Sequence, residues 1–179
     1  MSNGKVKSAI VGVVCGSVSD LETLKPALQT LEEFGISYSL AVRSAHRTPD
    51  DMREYAKSAE SNGYKVIIAC AGGAVDLSGM IAAYTLLPVI GLPVKTSALS
   101  GVDSLYSMVQ MPEGIPVGVV GIDRGKNAAL LAVEILAAFD SKVREKLRVY
   151  RDNLAARTLL DSKIKVTKLK KELGLDYMG

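Results

Sequence analysis

At 179 residues, 48% hydrophobic and a net charge of +3, the chain is long enough for one domain with a sizeable core and too short for two of ordinary size. No stretch approaches the ~20 uninterrupted apolar residues that a membrane span needs. Met1-Ser2-Asn3-Gly4-Lys5 opens without the cleavage pattern of a secretory signal, so a soluble, cytoplasmic protein is expected.

Short apolar runs alternate with capped amphipathic segments. Residues 8–15 read as a buried strand, followed by Gly16-Ser17-Val18-Ser19-Asp20 and a helix to Phe34, with Ser19 and Glu22 at capping-box spacing and Gly35 as the stop. Residues 36–43 form a second expected strand. Thr48 is placed to cap the next helix with Pro49 at its first position, and Gly63 to close that segment. A third strand over 65–71 runs into Gly72-Gly73 and a helix around 77–85. Strands four and five are expected at 88–94 and 115–121, with a short helix over 103–109 between them and a very apolar one over 127–139.

Five strands of nearly continuous hydrophobicity, separated by helices, predict a parallel sheet covered on both faces, an α/β/α sandwich of three layers. Ligands of such sheets bind beyond the carboxyl ends of the strands, where strand order reverses. The loops there, 16–20, 44–48 and 72–76, are also the richest in chemistry.

Beyond Phe139 the composition changes. Lysines and arginines number 11 against 14 acidic residues in 1–140, but 11 against 5 in 141–179. A charged helix over 140–154, a break across 155–161 and a second helix over 162–173 are expected, dividing the chain into a catalytic unit of 1–155 and a helical tail of 156–179. Lys163, Lys165, Lys168, Lys170 and Lys171 interleave with Ile164, Val166, Leu169 and Leu173, a pattern that favours packing on a neighbouring subunit over binding nucleic acid or acidic lipid. Cys15 and Cys70 each end a buried strand and read as free thiols of a reducing compartment.

Histidine is the side chain whose ordinary titration range spans neutral pH, and the chain has one, His46, in Ser44-Ala45-His46-Arg47-Thr48-Pro49. Ser17, Ser19 and the free backbone N–H groups of their loop suit a phosphate at a helix N-terminus, although helix capping by Ser19 or Asp20 explains the same residues. Asp20 repels phosphate and suits sugar hydroxyls, so together these side chains fit a ribose phosphate. Arg47 can clamp the phosphate in bidentate fashion, and Ser44 adds a hydroxyl. Gly72 and Gly73, following Ala71, leave room for a planar ring, or simply make a tight turn. One His and two distant cysteines cannot build a zinc site, so neither metal nor other cofactor is expected.

Taken in order, Gly16-Ser17-Val18-Ser19-Asp20, the Ser44 to Pro49 segment, Ala71-Gly72-Gly73-Ala74, residues 87–94, residues 101–112 and Asn127-Ala128-Ala129-Leu130-Leu131-Ala132 resemble the PurE family across residues 8–150. That family comprises N5-carboxyaminoimidazole ribonucleotide mutase and the related aminoimidazole ribonucleotide carboxylase of de novo purine synthesis. The resemblance implies a flavodoxin-like subunit in a homo-octamer, with C-terminal helices packing on neighbours. It implies His46 as general acid/base, Ser17, Ser19 and Arg47 on the 5′-phosphate, Asp20 on the ribose, and backbone at Ala71, Gly72 and Gly73 along the imidazole ring of the substrate. A mutase is the expected activity, and a carboxylase using free CO2 or a non-catalytic nucleotide-binding relative are the alternatives.

Two departures stand out. Where the family usually carries a His before Leu-Pro-Gly, this chain has Asp76-Leu77-Ser78-Gly79. Asp76 either caps the following helix or sets a carboxylate beside a carboxylated substrate, which it repels, altering substrate choice or the class of reaction. Residues 122–126 are also shorter than the corresponding loop of many relatives. An FMN carrier of similar architecture would want aromatic side chains in the three loops, which hold none, and a phosphoacceptor receiver would want an Asp where Gly72 stands.

Overall fold

The computed structural model describes residues 9–175; Ser8 of the expected first strand, the N-terminal segment and the last residues of the tail lie outside them. Every position of β1 (Val11–Cys15) and β3 (Val66–Ala71) is buried, which their apolar composition requires of strands covered on both faces. With β2 (Tyr38–Val42), β4 (Val89–Pro93) and β5 (Gly118–Val119) they form one parallel sheet in the order β2-β1-β3-β4-β5. Chain progression therefore reverses between β1 and β3, where Cys15 and Cys70 lie in register.

Alternation along β1 sorts the core. Val11, Val13 and Cys15 pack with α1 (Leu21–Phe34) and α5 (Gly125–Ala137), while Val14 faces the layer of α2 (Pro49–Ser58), α3 (Leu77–Tyr84) and α4 (Val102–Val109). In α1 the stripe Leu24, Ala27, Leu31 and Phe34 is buried at helical spacing. Gly35 ends the helix in the left-handed region (φ 68°), its N–H reaching Glu32 O at 2.8 Å while Ile36 N reaches Leu31 O at 2.9 Å. On the opposite layer, a Cβ at Gly12 would lie 2.6 Å from Tyr55 Oη, so only glycine lets α2 seat on the sheet.

Some expectations need correction. A 3-10 turn over Val18–Asp20 precedes α1 and moves the capping box forward. Ser17 is the N-cap, accepting from Ser19 N, and the Asp20 carboxylate closes the box by accepting from Ser17 N at 3.1 Å. Thr48 precedes α2 but makes no side-chain cap bond; its hydroxyl bonds back to Ser44 instead. Strand five shrinks to two residues, because it is an edge strand with Pro116 just before it, and proline has no N–H to give a ladder.

The largest difference is α6 (Ser141–Glu172), one unbroken helix of 32 residues that crosses the expected break. Between 141 and 173 the chain has neither Gly nor Pro, so nothing stops it. Asp140 caps its start by accepting from Lys142 N at 2.8 Å and Val143 N at 3.3 Å. Arg144 donates to the carbonyls of Ala137 and Ala138, and Lys146 to that of Phe34, each at 2.7–2.8 Å, so its first turns satisfy the C-terminal ends of α5 and α1. Among the described residues no helix is long and apolar enough to cross a membrane.

Candidate active site

Beyond the carboxyl ends of the strands, astride the β1/β3 reversal, lies a cleft of about 650 Å³. The loops after β1, β2, β3 and β4 line it. Ser17, Ser19, Asp20, Ser44, His46, Arg47, Ala71, Gly72, Gly73 and Asp76 are all among its walls, so every residue that the sequence offered for catalysis or substrate binding is brought to one place.

The first wall is a knot of hydroxyls around a carboxylate. Ser19 Oγ lies 3.0 Å from Ser17 Oγ and 3.3 Å from Asp20 Oδ1. Asp20 is buried, and that burial raises its carboxyl above the ordinary range, while bonds from Ser19 and Ser17 and the charge of Arg47 act against the rise. The wall thus presents two small hydroxyl side chains beside a carboxylate that also lines the cleft.

The second wall is a loop tied to itself. Ser44 N donates to Thr48 Oγ1 at 3.1 Å, and Ser44 Oγ accepts from the Arg47 backbone N–H at 3.1 Å and from Arg47 Nε at 3.4 Å. Arg47 Nη2 then reaches across to Gly16 O at 3.2 Å. The guanidinium is therefore aimed at the β1 loop, where an anion held by Ser17 and Ser19 would meet it.

The third wall is bare backbone. Gly73 adopts φ 76°, which glycine takes without strain. A Cβ at Gly72 would lie 3.3 Å from Val94 Cβ. Ser104 of α4, fully buried, fixes this turn to its neighbour: its Oγ accepts from Gly73 N at 2.9 Å and donates to Val94 O at 2.8 Å. A flat ring can lie along such a wall without meeting side chains.

His46 and Asp76 join two walls: Nε2 of the imidazole is 2.6 Å from Asp76 Oδ2. Asp76 does occupy the N-cap position of α3, but its side chain makes no cap bond. Capping is therefore not what the carboxylate does here, and it touches the histidine instead.

The sequence reading missed the fourth wall, Lys95, Thr96 and Ser97. Applying the carboxyl-end rule to β4, which neighbours β3, would have found it. Lys95 N donates to Asp123 Oδ1 at 2.9 Å, and Thr96 Oγ1 donates to Asp103 Oδ1 at 2.9 Å. Asp123 itself is held at φ 55° in the short loop before α5.

The thiols near the cleft are poor nucleophiles. Burial, with the Asp20 charge adding to it, pushes Cys15 up to about 11, and burial raises Cys70 as well. No group of three or more His, Cys, Asp or Glu able to hold a metal occurs among the described residues.

The family model described as AIR carboxylase matches residues 10–157. The chain is 54% identical over 150 residues to the N5-carboxyaminoimidazole ribonucleotide mutase of Pyrococcus abyssi, covering 84% of this chain and 86% of that protein. It is 50% identical over 172 residues to the protein of the same name from Synechocystis, covering 96% and 97%. The crystal structure of Treponema denticola PurE is similar with a TM-score of 0.79 at 30% identity, over 86% of this chain and 96% of that one.

Proposed function

The chain belongs to the AIR carboxylase family, and on that premise we propose that it interconverts N5-carboxyaminoimidazole ribonucleotide and 4-carboxy-5-aminoimidazole ribonucleotide in purine biosynthesis. It is an isomerase, as the names of its relatives have it. The observation that carries the reading is the convergence of the only histidine, a guanidinium, two hydroxyls and a side-chain-free turn on one cleft.

The roles proposed are those the resemblance implies, and the lining of the cleft supports them. Ser17, Ser19 and Arg47 hold the 5′-phosphate, with Ser44 keeping the guanidinium turned toward it. Asp20 accepts from ribose hydroxyls. The aminoimidazole ring lies along Ala71, Gly72 and Gly73.

In the forward direction the bond between the exocyclic nitrogen and the carboxylate carbon breaks, releasing CO2 and leaving the electron pair on nitrogen, which takes a proton from the His46 imidazolium. Ring carbon C4 then attacks the trapped CO2, and the neutral imidazole removes the C4 proton. His46 gives one proton and recovers one, so the cycle closes without a further acid or base. A closed cleft serves the reaction by keeping CO2 from escaping or being hydrated.

The tail belongs to the same proposal. Leu159 and Ile164 of α6 are 72% and 57% exposed, and apolar surface along an otherwise charged helix suits packing on neighbouring copies in a homo-octamer. Residues 1–155 then carry the chemistry, and residues 156–179 the contacts between subunits.

Incubating the purified protein with substrate carrying a 13C-labelled carboxylate, in excess unlabelled bicarbonate, tests the reaction. Product that keeps the label supports direct transfer. Product that loses it identifies a carboxylase working from free CO2, and absence of product refutes both.

A further inference from the structure

Asp76 is the acidic side chain in the cleft that the proposed reaction leaves without a task. Its carboxylate lies 2.6 Å from His46 Nε2, and it makes no cap bond to the helix it begins. The position is firmly seated: Asp76 O accepts from Met80 N at 2.8 Å, and the next residue, Leu77, is 2% exposed in the core beneath α3. On the other side, the Ser44–Thr48 bonds fix the loop that carries His46. The contact thus spans two independently anchored walls.

We infer that Asp76 is a positioning residue, holding the proton of His46 on Nε2 so that the Nδ1 lone pair is the one that exchanges protons with the substrate. An ionised carboxylate has only lone pairs to offer, so a hydrogen bond at this distance needs a hydrogen on Nε2. A neutral imidazole carries one ring hydrogen; once that is committed to Asp76, Nδ1 is the acceptor. When Nδ1 takes the C4 proton, the resulting imidazolium keeps its negative partner, as an acid/base that must alternate between charge states requires. The inference rests on His46 being the acid/base of the proposed reaction.

The other charged groups lining the cleft are Asp20, Arg47 and Lys95. Arg47 is turned to Gly16 O, and the Asp20 carboxylate accepts from Ser17 N and Ser19 Oγ. None of the three is hydrogen-bonded to the imidazole, whose bond is to Asp76. Asp76 is the partner that sets its tautomer.

Because the chain has a single histidine, the long-range proton–nitrogen NMR spectrum of 15N-labelled protein, at a pH where the ring is neutral, reads that tautomer directly. Hydrogen on Nε2 is expected in the unaltered protein, shifting to a mixture of tautomers in Asp76→Ala. In turnover, kcat of Asp76→Ala should fall about tenfold or more while KM stays within about threefold. Asp76→Ser, which keeps a good helix-start residue, should behave alike, so that a loss through misfolding of α3 is recognised by disagreement between the two variants.

Hydrogen on Nδ1 or a tautomer mixture in the unaltered protein overturns the inference, as does an unchanged kcat. A change confined to KM, including tighter binding, also overturns it and makes Asp76 a group that selects against carboxylates. The spectrum needs no substrate. Should the unaltered protein turn nothing over, the proposed reaction fails while the tautomer still decides the role of Asp76.

Discussion

The cleft and the far half of α6 use side chains in opposite ways. In the cleft nearly every polar group answers to another: Ser44 serves both Thr48 and Arg47, Ser17 both Ser19 and Asp20, and Ser104 both Gly73 and Val94. In the first half of α6, Lys146 bonds to Phe34 O, the Tyr150 ring lies beside Phe34 and Arg151 pairs with Glu134. Past them, Leu159, Leu160, Ile164 and Leu169 are each more than half exposed. Preorganised polar networks fit one small ligand, whereas apolar surface on a charged helix fits another protein surface. A change in the cleft should therefore alter chemistry and leave assembly alone, and a change in the tail should do the reverse.

The sharpest contrast is expected from His46→Asn, which should lower kcat by about 10²–10⁴ with ligand binding and oligomer mass retained, as equilibrium binding and light scattering would measure. Substantial remaining turnover would dissolve the division of labour at its centre. Next, Leu159→Lys combined with Ile164→Lys should dissociate the proposed oligomer in sedimentation velocity, while each protomer keeps its fold by circular dichroism, since exposed positions change protomer stability within about 0.5 kcal/mol. An unchanged sedimentation coefficient would show that the tail does not hold the assembly. Arg47→Ala should raise KM about tenfold or more through loss of a charge-assisted phosphate contact, with a smaller effect on kcat. An unchanged KM would remove the phosphate from this wall.

The smallest effect concerns Asp20, whose carboxyl is raised chiefly by burial. Between its ordinary value and the raised one, the folded protein holds more protons than the unfolded chain. Stability then falls as pH rises through that window, and is intact below it. Asp20→Asn should lack that component, so denaturant midpoints of the two proteins should drift apart on going from acid toward neutral pH, with the variant gaining. Parallel curves would mean the carboxylate is solvated.

The layered sheet was legible because buried parallel strands are written as short β-branched runs; β3 moved by a single residue, while β1 begins at Val11 and not at the expected 8. The loops of the cleft were legible for a related reason: hydroxyls, Arg47 and the only His stand at the ends of those runs. The misses have local causes. Pro116 shortens β5, and the hydroxyl of Ser17 outcompetes Ser19 for the cap because a 3-10 turn intervenes. The absence of any breaker between 141 and 173 makes α6 continuous despite its change of composition. The His46–Asp76 contact could not be read at all, since 30 residues and a whole β-α unit separate the partners. Lys95 was overlooked because its neighbours look like an ordinary connection.

Ser104 carries a last consequence. A single hydroxyl stitches the turn after β3 to the end of β4, and it belongs to α4, whose outer face bears Val102, Tyr106 and Val109 at 42–60% exposure. The bay that would receive the heterocycle is therefore gauged by the seating of a short helix with a greasy back. A shift of α4 would carry Ser104, and with it the turn to which that hydroxyl is bonded, without touching any group that handles a proton.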